Sequence, residues 1–159
     1  MNIKIICLGK IKEKSLVSLI DEYKKRISKY ASLEIIELAD ESIPDSCSLK
    51  EAENIKTIEC EKISKHIKPS DYVISLDLTG KQLSSEELAE KFQNITLNGS
   101  STIDFIIGGS LGLTRELVAN SNYVLSFSKL TFPHQLIRLF LLEQIFRSFK
   151  INNNEKYHH

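Results

Sequence analysis

Short apolar runs alternate along the chain with longer segments in which apolar residues recur at helical spacing. The short runs predict β-strands, and apolar residues spaced three or four apart predict amphipathic helices. The predicted strands are 3–8, 33–38, 72–78, 102–107 and 123–127, and the predicted helices are 15–30, 49–67, 88–97, 114–119 and 133–149. Strands that alternate with helices are typical of a mostly parallel sheet with helices on both faces. We therefore predict an α/β fold in a single domain over residues 1–159.

Local signals set several of these boundaries. Ser15 is predicted to cap the first helix, and Ser84 with Glu87 forms a capping pattern before the third helix. Thr79-Gly80-Lys81 predicts a turn, because glycine between polar residues favours one. Pro133 fits the first turn of the last helix, where its missing N–H costs nothing.

The last predicted helix has almost no polar face. A helix that is apolar nearly all round is buried on more than one side. In a domain of this size a second subunit would supply the additional cover, so we expect a homodimer, against the alternative of a helix buried deep in the chain's own core. Its apolar residues are Leu136, Ile137, Leu139, Phe140, Leu141, Leu142, Ile145, Phe146 and Phe149.

Composition narrows the function classes without choosing one. The chain has 21 basic and 21 acidic residues, so bulk charge does not favour a nucleic-acid partner and any RNA contact requires a local patch. The alternatives for the basic residues between Lys10 and Lys29 are such a patch or a solvated helix face. No run approaches the roughly 18 apolar residues of a membrane span, and the alternating start at Met1 does not predict a secretory signal.

The three cysteines do not predict a metal site or a disulfide. Cys7, Cys47 and Cys60 lack the C-x-x-C spacing, and their number is odd. Cys7 lies in an apolar strand and is expected in the core, whereas Cys47 and Cys60 resemble solvent-side or helix positions. This cysteine usage suits a reducing cytosol, so we expect a cytoplasmic protein without a bound metal.

Two loops in the last third of the chain carry the strongest functional signal. One is the glycine turn 108–112, and the other is the segment 126–134; each follows a predicted strand and precedes a helix. Ligands of parallel sheets collect at the carboxyl ends of strands, so residues 76–78, 108–112 and 127–132 are expected to meet at one site. The glycine turn alone is a weak signal, because it lies late in the chain and lacks the acidic partner of a dinucleotide fingerprint. A tight turn that needs positive φ angles is the alternative for it.

These residues resemble the ribosomal RNA large subunit methyltransferase H family of the SPOUT superfamily, which methylates N3 of a pseudouridine in 23S rRNA. The similarity extends over essentially the whole chain. Its most specific parts are the motif 125–134 together with the closing Tyr157-His158. The other matching parts are Gly9-Lys10, Gly80-Lys81, Ser84-Ser85-Glu86, Ile107-Gly108-Gly109, Arg138, Glu143-Gln144 and Phe146-Arg147.

The resemblance implies a fold, a cofactor and partners that periodicity cannot supply. The implied fold ends in a C-terminal trefoil knot, a rare exception among protein chains. The implied methyl donor is S-adenosyl-L-methionine, and the implied substrate is 23S rRNA within the assembled ribosome, with the active site at a homodimer interface. The implied cofactor-binding residues are Leu76, Gly108, Phe127, Ser128, Lys129, Leu130, Thr131 and Phe132.

The same resemblance implies catalytic roles for Arg147, Tyr157 and His158. Methyl transfer needs the attacking nitrogen aligned behind the methyl group and its proton removed. Tyr157, His158 and His134 are candidate bases, and no choice among them follows from the sequence. Arg147 has three possible roles: binding a phosphate, stabilising the developing imide charge, or pairing with Glu143 four residues earlier.

Three other functions compete with this hypothesis. A ribosome-binding module without catalysis would need decayed cofactor loops, and these loops are intact. A knotted methyltransferase acting on tRNA is disfavoured by the closing Tyr157-His158 and by the lack of an added RNA-binding domain. A flavodoxin-like nucleotide binder is disfavoured by the late position of the glycine turn.

Overall fold

The computed structural model describes residues 1–157, and within that range strands and helices alternate from the first element to the last. The strands are β1 (Asn2–Leu8), β2 (Ser32–Leu38), β3 (Tyr72–Lys81), β4 (Thr102–Ile107) and β5 (Tyr123–Leu125). The helices are α1 (Lys14–Ile27), α2 (Leu49–Ser64), α3 (Ser85–Leu97), α4 (Arg115–Asn120) and α5 (His134–Asn152). The predicted order of elements is therefore confirmed.

The five strands form one parallel sheet in the order β2-β1-β4-β3-β5. Successive residues of β1 point to opposite faces, so Ile5 joins the core beneath α1, α3 and α5, and Ile6 joins the core beneath α2 and α4. Helices therefore cover both faces, which confirms the predicted α/β class. The C-terminal trefoil knot implied by the resemblance stays a prediction.

Several predicted boundaries are wrong. Helices α1 and α2 each end three residues earlier than predicted, and Pro133 is the N-cap of α5 rather than a residue of its first turn. The first helix begins at Lys14 after Glu13, so Ser15 lies inside it and caps nothing. The predicted turn around Gly80 belongs to β3, which continues to Lys81 and pairs again with Leu125 after an irregularity in register. A Cβ on Gly80 would lie 2.7 Å from backbone atoms of β5, so glycine is needed here for close approach of two strands rather than for a turn.

Helix α5 obtains most of its cover from its own chain. It packs against α1 and α3, with the Phe149 ring stacked on Tyr30 at a centroid distance of 5.5 Å. Leu141, Leu142 and Ile145 are fully buried. Phe140, however, remains 42% exposed, so part of the apolar surface of α5 has no cover from within the described chain. The homodimer stays a prediction.

Arg138 ties α5 to the carboxyl ends of the first two strands. Its side chain is only 1% exposed, and its Nη1 donates to Glu37 Oε2 at 2.7 Å. Its Nη2 donates to the carbonyl oxygens of Leu8 and Gly9 at 3.2 and 3.1 Å. A buried guanidinium with these partners fixes the last helix against β1 and β2.

A buried charge cluster lies nearer the amino ends of the strands. The Lys4 ammonium donates to Asp71 Oδ2 and to the carbonyl oxygen of His66, both at 2.8 Å. It also lies 3.0 Å from Asp104 Oδ2, as an ion pair without an aligned hydrogen bond. The Asp104 side chain is fully buried, and burial, opposed by Lys4 and reinforced by Asp71, raises its pKa to about 6.

The cysteines are not paired. Cys7 is fully buried, as predicted, and Cys60 is 5% exposed, so of its two expected positions, solvent-side or helix, the helix is the one found. Cys60 lies on the inner face of α2, where its sulfur accepts a hydrogen bond from Thr114 N at 3.3 Å. Among residues 1–157, no helix is long and apolar enough to cross a membrane.

Candidate active site

An open cleft of about 790 Å³ lies at the carboxyl ends of β3, β4 and β5. These strands are neighbours in the sheet, so Leu76 at the end of β3 and Gly108 after β4 reach the same edge. The segment after β5 closes the cleft from a third side. The expected convergence of the three loops is therefore confirmed, and the residues that line the cleft include Leu76, Gly108, Phe127, Ser128, Leu130, Thr131 and Phe132.

The glycine turn brings bare main chain to the cleft. Gly109 and Gly112 form an isolated antiparallel bridge, and Gly112 N donates to Gly109 O at 3.0 Å. Gly112 has a φ of +81°, a conformation that other residues rarely adopt. A Cβ on Gly108 would lie 2.9 Å from the Gly112 carbonyl carbon, so the turn has no room for a side chain there.

Hydroxyl groups shape the second loop from within. The Ser126 hydroxyl donates to Ser128 O at 2.9 Å, and the Ser128 hydroxyl accepts from Leu130 N at 3.0 Å. Ser126 N donates to Lys81 O, which joins the loop to the extended end of β3. Lys129 belongs to this loop but is not among the residues that line the cleft.

The lining of the cleft has an acidic rather than basic character. Among the described residues that form it, Asp77 and His134 are the ionisable ones, and neither lysine nor arginine takes part. Asp77 Oδ1 accepts hydrogen bonds from the Thr79 amide at 2.9 Å and from its hydroxyl at 2.6 Å. The cleft thus lacks the cations that usually bind phosphate groups, and it favours a neutral or cationic ligand.

A second, smaller cleft of about 500 Å³ lies on the other side of the loop after β5. Residues 125–128 and Phe132 form a wall that both clefts share. The far side of the smaller cleft is made by α3 and α5, including the partly exposed Phe140 and the carboxylate of Glu143. Two ligands could therefore lie on either side of one loop.

A model of the family described as "Predicted SPOUT methyltransferase" matches residues 1–158. This chain belongs to the SPOUT methyltransferase family. The match includes both loops of the cleft and all of α5.

Relatives of this SPOUT chain share most of its length. Proteins of Clostridium botulinum strain Hall and Clostridium novyi strain NT, both named "Ribosomal RNA large subunit methyltransferase H", are each 57% identical over 158 residues. Each alignment covers 99% of this chain and 99% of the relative. A solved structure of a probable methylase family protein from Haemophilus influenzae Rd KW20 matches the fold at a TM-score of 0.52 and 16% identity. That match covers 99% of this chain and 70% of the other.

In this SPOUT chain, Glu143 holds Arg147 and Tyr157 together beside the smaller cleft. Glu143 Oε1 accepts from Arg147 Nε at 3.0 Å and from Nη2 at 2.7 Å. It also accepts from the Tyr157 hydroxyl at 3.3 Å, and the Arg147 guanidinium lies 4.8 Å from the centre of the Tyr157 ring. The pairing of Arg147 with Glu143 that the spacing suggested is therefore present.

The candidate bases differ in their positions. Burial, with added effects of Tyr23 and Glu143, raises the pKa of Tyr157 to about 12, so the phenol keeps its proton at neutral pH. Tyr157 is thus suited to donate a hydrogen bond rather than to accept a proton. His134 lines the larger cleft at the start of α5. His158 lies outside the described residues.

Two acidic residues near the clefts were not predicted to have a role. The sequence predicts Glu143 only as a possible i,i+4 partner of Arg147, and its contact with Tyr157, 14 positions later, gives no signal in the spacing. Glu59 gave no signal, because a glutamate among the charged residues of a helix is typical of an exposed position. Its side chain is nevertheless buried, directly behind the glycine turn.

Two further expectations concern a metal site and the basic segment between Lys10 and Lys29. Residues 1–157 contain no group of three or more His, Cys, Asp or Glu that could hold a metal ion. In the basic segment, Lys10 and Lys12 are exposed in the loop after β1, at the same edge of the sheet as the cleft. On α1, Arg26 is paired with Glu22 at 3.0 Å, so part of the patch is a salt-bridged helix face.

Proposed function

We propose that this SPOUT methyltransferase transfers a methyl group from S-adenosylmethionine to N3 of a pseudouridine in 23S rRNA of the assembled ribosome, in the cytoplasm. The names of the two clostridial relatives, at 57% identity over nearly the whole chain, support a large-subunit rRNA substrate. The motif 125–134 together with the closing Tyr157-His158 supports the finer assignment.

The observation that carries the proposal is the chemistry of the larger cleft. S-adenosylmethionine combines an aromatic base, hydroxyl groups, a zwitterionic amino-acid group and a sulfonium cation, so it carries a net positive charge and has no phosphate. Main chain from the glycine turn, apolar side chains such as Leu76 and Phe127, and the absence of lysine and arginine from the described lining all fit such a ligand. A nucleotide with phosphates would meet Asp77 without any compensating cation.

The residues proposed to hold the cofactor are the two loops and the end of β3. Gly108 offers backbone at a point where no side chain fits, and Phe127 and Phe132 offer flat apolar surface. When bound, S-adenosylmethionine supplies an electrophilic methyl group on its sulfonium. Lys129 belongs to the same loop but not to the described lining, so its contact with the cofactor is proposed from the family resemblance alone.

We place the target base at the open edge of the loop that the two clefts share, so that N3 faces the methyl group from the larger cleft and Glu143 lies nearby in the smaller one. Pseudouridine N3 carries a proton that must leave, and the ring then has imide-like negative charge. The Arg147 guanidinium, oriented by two hydrogen bonds to Glu143, stabilises that charge. Tyr157, whose hydroxyl donates to Glu143, holds this carboxylate and Arg147 in position, and the N3 proton passes to His158, His134 or water.

The proposal includes a homodimer. Three large apolar side chains near the clefts are partly or mostly exposed in the single chain: Leu78 at 58%, Leu130 at 69% and Phe140 at 42%. A second copy covering them would remove this apolar surface from water and enclose the site from the open side.

Methyl transfer to defined ribosomes tests the function. Ribosomes that lack this methylation are incubated with labelled S-adenosylmethionine, with and without the target pseudouridine, and the label is mapped on the RNA. We expect label only on 23S rRNA that contains the pseudouridine. Label on tRNA, or cofactor binding without transfer to any RNA, would refute the proposal and favour one of the competing functions.

A further inference from the structure

A buried carboxylate with an unused oxygen lies directly behind the glycine turn. Glu59, on α2, is only 3% exposed. Its Oε1 accepts a hydrogen bond from Glu41 N at 3.0 Å, while its Oε2 is buried and has no hydrogen-bond partner among the described residues. A Cβ on Gly109 would lie 3.2 Å from Oε2 and 3.5 Å from Oε1. The carboxylate therefore lies on one side of the Gly109 main chain, and Gly109 also lines the cleft.

The charges around Glu59 do not neutralise it. Lys62 is the nearby cation, but its ammonium is engaged by Glu41 Oε1 and by Ala39 O at 2.9 Å. Asp40 adds another carboxylate close to Gly9, at the same edge of the sheet. A buried acceptor without a partner costs free energy, and such groups persist where they have a task.

Gly109 allows the Glu59 carboxylate to lie close to the cleft. Because a glycine has no side chain, only one residue of main chain separates the carboxylate from the ligand space. Buried away from solvent, a negative charge there acts on the cleft with little screening by salt. It stabilises a positive charge in the cleft and has little effect on a neutral group of the same shape.

We propose that Glu59 is a specificity-determining residue that makes the cleft prefer the cationic methyl donor over its neutral product. S-adenosylmethionine and S-adenosylhomocysteine differ by the methyl group and by the charge on sulfur, so a carboxylate behind the turn discriminates between them. Product therefore leaves readily and the next donor replaces it. This inference rests on the proposed function, because it takes S-adenosylmethionine as the ligand.

The expected effect is measurable. Two unit charges on the order of 10 Å apart, at an effective dielectric constant of about 20, change an equilibrium on the order of 10-fold. The substitution Glu59→Gln keeps an oxygen for Glu41 N and removes only the charge. We expect Glu59→Gln to weaken S-adenosylmethionine binding about 10-fold while S-adenosylhomocysteine binding is unchanged. Glu61→Gln, the same change on an exposed position of the same helix, should alter neither.

Calorimetric titration of both ligands into the wild type and the two variants tests this inference, with thermal unfolding as a check on folding. The inference is wrong if the ratio of the two dissociation constants is the same in wild type and Glu59→Gln. It is also wrong if Asp77→Asn, and not Glu59→Gln, removes the preference for S-adenosylmethionine. In the wild type, the preference should persist at high salt, since its source is buried. If the preference disappears at high salt, exposed charges cause it and the inference is wrong. This measurement uses wild-type protein, so it can be made even if Glu59→Gln fails to fold.

The two proposals fail in different ways. If wild-type protein binds neither ligand and transfers no methyl group, the proposed function is wrong. If wild-type protein binds both ligands and methylates 23S rRNA but Glu59→Gln keeps the same preference, only the inference about Glu59 is wrong.

Discussion

Replacing Asp104 by asparagine should change how the stability of the protein depends on pH. The Asp104 carboxylate is fully buried, and its one cationic neighbour, Lys4, is shared with Asp71. Burial and the second carboxylate raise the pKa of Asp104 to about 6, compared with an ordinary value of 3.8. The folded protein therefore holds a proton on Asp104 at pH values where the unfolded chain has released it.

The magnitude follows from linkage between protonation and folding. A pKa raised by about two units corresponds to about 3 kcal/mol in the free energy of unfolding. That contribution is fully present below about pH 4, and it is lost as the pH rises to about 6, because the buried side chain must then ionise. Asparagine has no such proton, so Asp104→Asn should gain about 3 kcal/mol relative to the wild type between pH 4 and pH 7.5.

Urea unfolding at several pH values measures this effect. The free energy of unfolding of Asp104→Asn minus that of the wild type should rise by the stated amount across the window, whatever its value at pH 4. Asp21→Asn, at an exposed position on α1, is the matched control and should show no such rise. Parallel curves for Asp104→Asn and wild type would refute the reasoning, because they would mean that Asp104 ionises equally in both states.

Three further substitutions test the fold and the site. Gly80→Ala places a methyl group 2.7 Å from the Val124 backbone, so denaturant titration should show a loss of about 2 kcal/mol; an unchanged midpoint would mean that β3 and β5 separate freely. Ser84→Ala removes one half of a capping box and should cost about 1 kcal/mol in the same assay, a result refuted if the variant is as stable as wild type. Glu143→Gln loses the charged partner of Arg147, so kcat for methyl transfer should fall about 10–100-fold while donor affinity measured by calorimetry is unchanged. A fall in donor affinity with constant kcat would place Glu143 at the cofactor instead.

The class of fold and the position of the candidate site in the sheet could both be predicted from the sequence. Periodicity distinguishes strands from helices, and the carboxyl ends of parallel strands share one edge, so the loops after β3, β4 and β5 were expected to meet. The strand order could not be predicted, because apolar residues such as Ile5 and Phe105 are suited equally to any central position. The sequence predicts a turn at Gly80 because the need for close approach to β5 is a tertiary property that local sequence does not show.

The charged residues of the interior were the least predictable. Lys4, Asp104 and Glu59 stand in segments whose neighbours are apolar or charged in the ordinary way, and nothing nearby in sequence shows that they are buried. Lys4 and Asp71 are 67 positions apart, and their pairing follows only from the packing of β1 against the rest of the sheet. Spacing detects partners on one helix, such as Glu143 and Arg147, but not partners brought together by topology.

The buried bond network of Arg138 has a consequence for the order in which the chain can fold during synthesis. Its partners, the carbonyl oxygens of Leu8 and Gly9, lie about 130 positions earlier, and β1 pairs with β4 across a comparable separation. Contacts this distant make loop closure slow, and those of Arg138 cannot form until α5 has left the ribosomal exit tunnel. β1 can therefore pair with β2 and β4 before α5 is available to fix its carboxyl end. A nascent chain stalled before α5 would expose the apolar faces of α1 and α3, and it would depend on chaperones until the last helix arrives.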